Sequence, residues 1–550
     1  MRKSILFGTA LLAISLLGTS CGAPASKEDS YTKDGKLKVS MRNLYFTGYT
    51  GGDSYVKEIE EQFGLKFSFA SYSWTDWKTQ VQGAVNARTT QDVFHADIDS
   101  YNYVKKYKLW AEQGALHALP DDLTRWPNLK NMLDNTSNID SLKINGHLYG
   151  IPISKNTTDF STDFSPFTYI YRRDWAKEWG VYQENDVYTW RQFEALLKKF
   201  KEELNKSNRF ALGDVEWGYP SITNFYKQVP HCFAQDDEGI YVNNYTTDQY
   251  IKGLQKSKQF RDDKYYYQSA NTLSDGQMRK KYVGNQCGVF YENLSYSNFV
   301  AIKLDLEKSN SSNKEFNIDD ATAIMKIKAP TADDFDTAEE KEKYVSPYGG
   351  KYCLEGTDNW FSLTLFDGRI SDNKVEKMLD LYDWLLSEEG TRFSIYGFEN
   401  YDYEIVDGQV KLIEEAWPKT KDGKYAEKSN GGTYLRYMVS LGYDNLSKDP
   451  LTDKEAVAYL EAWEQEMRDA KDADKLYVLK ETDGPNGVMW LATPKKSKEC
   501  GDMRDLALIN AKRFVAGSNG ITSIEKFKAT FGKIWDEVLE EINAALNPTT

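Results

Sequence analysis

The order of sequence patterns in the first hundred residues predicts an α/β fold. Two segments, "LKVSMRNLYF" (37–46) and "LKFSFASYS" (65–73), alternate apolar and polar residues as half-buried strands do. "SYVKEIEEQFG" and "WTDWKTQVQGAVNA" have helical spacing, and the first ends at Gly64, a residue suited to a helix C-cap. "QDVFHADIDS" then reads as a strand that runs into an acidic loop. This β-α-β-α-β order predicts a parallel sheet with crossover helices.

Length and charge limit the classes of function. A chain of 550 residues predicts two to four domains with sizeable cores. The formal net charge is −14 and is spread along the chain, which argues against nucleic acid as a partner because phosphate binding needs a surplus of Lys and Arg. Aromatic residues reach 14%, with 37 Tyr and 14 Trp, and patterned segments continue almost to the end, so we expect an ordered protein.

The first residues predict export. A basic start is followed by an apolar run (5–17) that is too short to span a bilayer, and then by small residues and Cys21. This pattern resembles a bacterial lipoprotein signal, although Gly18 stands where that motif usually has Leu. We therefore predict a signal peptide over 1–20, lipidation of Cys21 and a polar tether over 21–36. The alternative is an ordinary secretory signal that happens to contain a Cys.

Four other cysteines lie far apart in the sequence. Cys232, Cys287, Cys353 and Cys500 form no C-x-x-C pair and lie near no pair of histidines, which argues against a zinc site. Their number allows two disulfides, but the spacing does not select a connectivity. We expect buried, unpaired thiols.

The middle and the end of the chain continue to alternate strands and helices. "NGHLYGIPI" is an extended segment, and "YIYRRDWAKEWG" (169–180) reads as a strand followed by a short helix. "TWRQFEALLKKFKEEL" predicts a long amphipathic helix with Thr189 as its N-cap. "NQCGVFYENLSYSNFVAIKLD" predicts a strand and a helix, and both "NKVEKMLDLYDWLLSEEGTRFSIYG" and "TSIEKFKATFGKIWDEVLEEINAAL" are strongly helical. No internal repeat is visible in the sequence.

This order of segments resembles the extracellular solute-binding proteins of family 1, the carbohydrate-binding components of ABC importers. "SEEGTRFSIYGFENYDYEIVDGQVKL" and "MWLATPKKSKECGDM" are similar to the large lipoprotein branch of that family. The resemblance implies a two-lobe periplasmic-binding-protein-like fold, with hinge segments between the lobes and a ligand cleft at their interface. On that pattern we expect an N-terminal lobe of residues 37–168 and 289–375 and a C-terminal lobe of residues 169–288 and 376–550.

A sugar-binding cleft needs aromatic rings to stack on the C–H faces of the sugar and polar groups around its edge. Loops and turns of this sequence supply both, and the resemblance adds Tyr171 near the cleft, with Trp175 and Trp179 packing their helix. The residues that we expect to contact ligand are Tyr45, Asp97, Asp99, Tyr101, Tyr171, Trp217, Tyr291, Glu292, Trp360 and Trp490. The alternatives are core packing for each Trp and helix capping for the two Asp residues.

Signals of catalysis are weak. The sequence contains no G-x-S-x-G, H-E-x-x-H, Walker or dinucleotide-binding motif. The four histidines are not at ligand spacing, and the 83 acidic residues make any pair of carboxylates uninformative without geometry. We expect no enzyme activity and no cofactor, although some large relatives carry a structural calcium ion.

The expected function is therefore capture of an oligosaccharide by a lipid-anchored, monomeric protein on the outer face of the cell membrane. Closure of the lobes would trap the sugar, and the permease subunits of an ABC importer would receive it. Three alternatives remain open at this point: a secreted glycoside hydrolase or lyase, a surface lipoprotein that binds glycans without a role in transport, and a relative that binds peptides.

Overall fold

The computed structural model describes residues 26–73, 76–96, 101–155, 165–204, 209–214, 220–229, 232–269, 276–356, 359–419, 425, 430–441, 449–479 and 497–546. Within these ranges, side chains are described except at 101–105, 361, 497–505 and 545–546. Helices in the described part of the chain are of moderate length, and none of them is both long and apolar enough to cross a membrane.

Strands are distributed along the whole described chain. In chain order they are β1 (Leu37–Asn43), β2 (Leu65–Ser71), β3 (Val93–Ala96), β4 (Gly150–Ser154), β5 (Phe167–Arg172), β6 (Val187–Tyr188), β7 (Phe210–Asp214), β8 (Phe233–Gln235), β9 (Tyr241–Asn243), β10 (Cys287–Asn293), β11 (Thr322–Ile327), β12 (Tyr352–Glu355), β13 (Trp360–Phe366), β14 (Tyr403–Val406), β15 (Gln409–Leu412) and β16 (Leu476–Leu479).

Helices separate most of these strands. In chain order they are α1 (Ser54–Phe63), α2 (Trp77–Asn86), α3 (Tyr101–Glu112), α4 (Pro127–Asp134), α5 (Arg173–Glu178), α6 (Trp190–Leu204), α7 (Asp248–Asp262), α8 (Gln277–Val283), α9 (Tyr296–Ser309), α10 (Ile318–Ala321), α11 (Ala338–Tyr344), α12 (Asp372–Leu386), α13 (Glu388–Tyr396), α14 (Gly431–Arg436), α15 (Lys454–Asp472), α16 (Ser497–Ala516), α17 (Ile524–Ala529) and α18 (Gly532–Leu546).

The first lobe is built on a five-stranded sheet with the order β2-β1-β3-β13-β4. β1 pairs in parallel with β2 and β3, so the predicted parallel β-α-β-α-β start is confirmed. β13 runs antiparallel to both β3 and β4. α1 ends at Gly64 with a φ of 64°, as the sequence predicted. Positions along β1 alternate between buried and less buried, and the apolar residues Leu37, Val39 and Met41 all occupy buried positions in the core.

The second lobe has its own five-stranded sheet with the order β6-β11-β5-β10-β7. β5 runs antiparallel to β10 and β11. α6 begins as predicted, because the Thr189 hydroxyl accepts a hydrogen bond from the backbone of Gln192. Trp175 and Trp179 pack with Phe200 of α6, as expected for this helix.

The chain passes between the lobes at three places, after residues 155, 356 and 441, here the first, second and third crossings. The described residues beside them are hydrogen-bonded to one another. The Ser154 amide donates to Val439 O over 3.0 Å, and the Leu441 amide donates to Ser154 O over 2.8 Å. Lys155 N donates to Asn359 O over 2.9 Å. The first-lobe ends of the three crossings therefore belong to one hydrogen-bonded group at the edge of the first sheet.

The predicted bounds of the lobes differ from this arrangement in two segments. Residues 289–355 were expected in the N-terminal lobe, but β10 pairs with β5 and β7 in the second sheet. Residues 376–441 were expected in the C-terminal lobe, but apolar side chains of α12, α13 and α14 in this segment are buried in the core of the first lobe. Both differences arise because strand partners and helix docking are set by contacts between residues far apart in sequence.

The predicted tether over 21–36 is also shorter than expected. Lys27 forms ion pairs with Asp92 at 3.3 Å and Asp367 at 3.1 Å, and Asp29 accepts a hydrogen bond from Ser371 over 2.8 Å. These contacts hold the segment from Lys27 onward on the first lobe. They lie near the beginning of β3 and the end of β13, at the edge of the sheet opposite the crossings.

The described cysteines generate a prediction about reactivity. Cys287 and Cys353 are buried free thiols, as expected from the sequence, and Cys232 is buried as well; burial raises the pKa of Cys287 and of Cys353. In a variant with Cys21→Ser and Cys500→Ser, we expect none of these thiols to react with Ellman's reagent in the folded protein and all three to react after denaturation. Rapid reaction in the folded state, or fewer thiols after denaturation, would contradict the packing.

Candidate functional site

The carboxyl ends of strands from both sheets lie beside the crossings. In the first lobe, β1, β2, β3 and β4 all end at the edge that carries the hydrogen-bonded crossing residues. In the second lobe, β7, β10 and β11 end beside the start of β5, where the Ser165 amide donates to Glu355 O over 2.6 Å. Ligands of α/β proteins bind outside the carboxyl ends of strands. The cleft between these two edges is therefore the candidate site.

A row of four half-buried tyrosines lies along the edge of the first lobe. Tyr45 follows β1, and its ring centroid is 5.1 Å from that of Tyr437. Tyr437 is 6.3 Å from Tyr434, whose ring stacks on Tyr49 at 4.0 Å with an interplanar angle of 14°. Burial raises the pKa of both Tyr45 and Tyr49, which keeps these phenols neutral. This tyrosine row offers flat apolar faces and neutral hydroxyl groups together.

Sequence reasoning found Tyr45 and missed Tyr434 and Tyr437. The two missed residues are three positions apart in "GGTYLRYMVS": Tyr434 lies within α14, and Tyr437 directly follows its last residue. That spacing places side chains on one side of a helical turn and was a usable signal. Their position beside Tyr45 could not be inferred, because α14 reaches β1 from a distant part of the chain.

A buried polar network lies beneath Tyr45. The Asn43 Oδ1 atom accepts from the backbone N–H of Tyr45 over 3.1 Å and lies 2.9 Å from His95 Nδ1. Because an amide oxygen cannot donate, the proton of the neutral ring is on Nδ1. Nε2 of His95 then accepts from the hydroxyl of Ser362. Burial lowers the pKa of His95 to about 3, so the ring is uncharged at neutral pH.

The edge of the second lobe is more polar. Asp214, the last residue of β7, accepts hydrogen bonds from the Ser221 amide over 2.9 Å and from the Ser221 hydroxyl over 2.6 Å. Burial raises the pKa of Asp214 to about 7, although these hydrogen bonds act in the opposite direction. Tyr291 Oη accepts from Asn224 over 2.9 Å. Beside these residues is a small recess, lined partly by Phe167 and Trp463.

Carboxylates at this second edge are paired with cations. Glu292 lies 3.2 Å from Arg279, and Glu355, next to the second crossing, lies 3.0 Å from Lys227. Both cations come from elements that follow β7 in the chain. The pairs neutralise the carboxylates and fix side chains where the second lobe faces the first.

Predicted ligand residues fall into three groups. Tyr45, Tyr291 and Glu292 lie at the two facing edges, with Tyr45 half-buried and the other two largely covered at 4% and 6% exposure. Asp97, Asp99, Trp217 and Trp490 lie outside the described residues, as does Cys21. Tyr101 begins α3, but its side chain is outside the described part.

Two predicted ligand residues are buried in the cores instead. Tyr171 is fully buried in the second lobe, where its hydroxyl donates to Asp186 over 2.6 Å. Trp360 is 4% exposed in the first lobe, and its indole N–H donates to Ser137 O over 3.0 Å. Both faces of these strands are covered, because residues 168–172 of β5 and 362–366 of β13 are all buried. The expectation that Tyr171 and Trp360 contact ligand is corrected accordingly.

Metal ligands are not gathered anywhere in the described residues: no group of three or more His, Cys, Asp or Glu side chains there is arranged to hold an ion.

The packing of Trp360 generates a prediction. Trp360→Phe removes a buried hydrogen bond and part of a buried ring, so we expect the free energy of unfolding to fall by about 2 kcal/mol. Ligand affinity of the folded variant should change little. Urea unfolding and calorimetry would test the two quantities. A large loss of affinity with unchanged stability would show that Trp360 contacts ligand after all.

The burial of His95 generates a second prediction. The unfolded chain binds a proton on this residue below pH about 6.5, whereas the folded protein does not until about pH 3. The contribution of His95 to stability is therefore lost as the pH falls below 6.5. Between pH 7 and pH 5 we expect this loss to be about 2 kcal/mol in the wild type and absent in His95→Gln. Equal pH slopes of urea-unfolding free energies would contradict the neutral buried ring.

The fold is similar to that of solved sugar-binding proteins. The alginate-binding protein AlgQ2 superposes with a TM-score of 0.63 at 15% identity, covering 95% of this chain and 100% of that one. The Streptococcus pneumoniae ABC-transporter substrate-binding protein FusA in complex with kestose gives 0.59 at 14% identity, covering 93% and 99%. An HMO-binding, ABC-transporter-associated solute-binding protein from Bifidobacterium longum infantis gives 0.57 at 13% identity, covering 92% and 98%. No curated protein matches the sequence.

A sequence family also matches the chain. The family described as "Bacterial extracellular solute-binding protein" matches residues 54–288, which span most of the first sheet and the start of the second. The resemblance inferred from the sequence is thus confirmed, and the two-lobed α/β architecture agrees with it. Residues 54–288 are thus similar to bacterial extracellular solute-binding proteins, and the fold of the described chain is similar to that of the solved proteins above.

Proposed function

We propose that the protein captures an oligosaccharide between its two lobes and delivers it to the permease of an ABC importer. The observation that carries the proposal is the tyrosine row (Tyr45, Tyr437, Tyr434 and Tyr49) on the edge of the first lobe, facing a polar edge on the second. Rings stack on the C–H faces of sugars, and polar side chains bind their hydroxyl groups. A row longer than one ring favours several sugar units over one.

The relatives in fold support this substrate class. Their names record binding of alginate, of kestose and of HMO, and two of them are described as components of ABC transport. These names describe what those proteins bind. They support the same class of ligand for this chain because the fold is shared. The tyrosine row is the independent support from this molecule.

Binding without catalysis is part of the proposal. Hydrolysis of a glycoside needs two carboxyl groups on either side of the bond, one of them able to donate a proton. The described carboxylates at the second edge are engaged instead: Glu292 with Arg279, Glu355 with Lys227, and Asp214 with Ser221. Incubation with candidate glycans and a reducing-end assay should show no product, and steady release of product would favour a hydrolase.

The tyrosine row generates the direct test. We expect an array of neutral oligosaccharides that includes kestose, maltotriose and mannotriose to yield a hit with micromolar or tighter affinity by calorimetry. Tyr45→Ala and Tyr437→Ala should each weaken that affinity about thirtyfold, which corresponds to about 2 kcal/mol for a stacked ring. Tyr401→Ala is the control, because Tyr401 is 77% exposed on the same lobe and outside the row. Unchanged affinity in both row variants would exclude the row as the binding surface.

Anchoring to the membrane through Cys21 is also proposed. The segment from Lys27 onward is held on the first lobe, so only the five residues 22–26 separate the lipidated Cys from the folded protein. Their greatest span is about 20 Å, which would keep the first lobe close to the lipid surface. We expect Cys21→Ser to release the protein from membranes into the medium, as measured by fractionation and immunoblotting. Wild-type protein found in the medium with an unmodified N-terminus would contradict the anchor.

A further inference from the structure

Asn43 connects the two aromatic segments of the first lobe. It is fully buried at the end of β1 and has no surface to offer a ligand. Its Oδ1 atom accepts from the Tyr45 backbone over 3.1 Å. Its Nδ2 atom lies 3.3 Å from Tyr437 O and 2.9 Å from the sulfur of Met438. One side chain thus contacts the backbone of both segments whose rings lie 5.1 Å apart.

Asn43 makes these contacts in only one orientation of its amide group. Rotation by a half-turn would present N–H to the Tyr45 amide and oxygen to Tyr437 O, and both contacts would become repulsive. The Tyr45 N–H therefore fixes Oδ1 of Asn43 on its own side, and this oxygen lies 2.9 Å from His95 Nδ1. The proton of the neutral His95 ring is accordingly on Nδ1, and Nε2 accepts from the hydroxyl of Ser362. The order from donor to acceptor is Ser362, His95, Asn43.

The same residues continue into the third crossing. Thr364, two positions after Ser362 on β13, donates its hydroxyl to Met438 O. Ser440, three residues after Tyr437, pairs with Ser154 beside the first crossing. Displacement of Tyr437 would therefore also displace the segment at which the chain leaves the first lobe.

We propose that Asn43, supported by its hydrogen bond with His95 and through it by Ser362, is the positioning residue that holds Tyr45 and Tyr437 at the spacing needed to bind sugar. The inference rests on the proposed function and goes beyond it, since none of the three residues lies at the surface of the cleft. Their removal should weaken sugar binding without the loss of any contact to the sugar. Pre-organised rings bind more tightly than mobile ones because less conformational entropy is lost on binding.

The test uses two variants. Ser362→Ala removes the hydroxyl that is hydrogen-bonded to His95, with little change in volume. Asn43→Ala removes the side chain that contacts the backbone of both aromatic segments. Ser257→Ala is the matched control: Ser257 is also fully buried and also donates a hydrogen bond, to Gly253 O over 2.8 Å, but it lies in the second lobe. Calorimetry with the strongest hit from the neutral oligosaccharide array measures affinity. Hydrogen exchange of peptides covering 44–50 and 435–441 measures local order without sugar.

We expect Ser362→Ala to bind the sugar about fivefold more weakly and to exchange faster in both peptides, with Ser257→Ala unchanged in both measurements. If Asn43→Ala folds, it should show a larger loss of affinity and faster exchange than Ser362→Ala. If Asn43→Ala does not fold, the result for Ser362→Ala alone tests the proposal. Wild-type affinity in Ser362→Ala, or equal weakening in Ser257→Ala, would overturn the proposal. If the wild type binds no oligosaccharide, the proposed function fails separately, and exchange alone decides whether the network holds the two segments.

Discussion

The hydrogen-bonded group around Ser154 is the constraint on which the arrangement of the site depends. Ser154 is the last residue of β4 and pairs on one side with Trp360 of β13 and on the other with the segment around Ser440. All three crossings leave the first lobe from this group. Because the carboxyl ends of β1, β2 and β3 lie at the same edge, any ligand bound there is also next to the hinge. Movement about the crossings can therefore change the cleft without disturbing either core.

The two edges of the cleft differ in chemistry, and this difference suits a sugar. The first lobe supplies the tyrosine row, and Asn43, which also contacts His95, is hydrogen-bonded to the backbone of Tyr45 and Tyr437 beneath it. The second lobe supplies paired charges, such as Glu292 with Arg279. A ligand that contacts both edges only when the lobes are close favours the closed state by its difference in affinity for the two states. The two lobes are also in contact away from the crossings, because α16 of the second lobe contacts α3 of the first.

Local features of the fold were predictable from the sequence, and long-range ones were not. The parallel start, the Gly64 and Thr189 caps and the packing of Trp175 each depend on residues close together in the chain. The membership of β10 in the second sheet depends on its pairing with β5, more than a hundred residues earlier. In the site, turn residues around Trp360 suggested exposure, but they do not determine which face of a strand a side chain occupies. The partners of Tyr45 come from α14, and no local pattern links the two segments.

The central claim is that a sugar is bound between two lobes that close on it, and small-angle X-ray scattering tests this claim most directly. Scattering should be measured with and without a saturating amount of the strongest hit from the oligosaccharide array, and with Tyr45→Ala at the same sugar concentration. The account predicts a smaller radius of gyration for the wild type with sugar and no change for the variant. An unchanged radius of gyration for the wild type at saturation would contradict it and would indicate a rigid groove on one lobe.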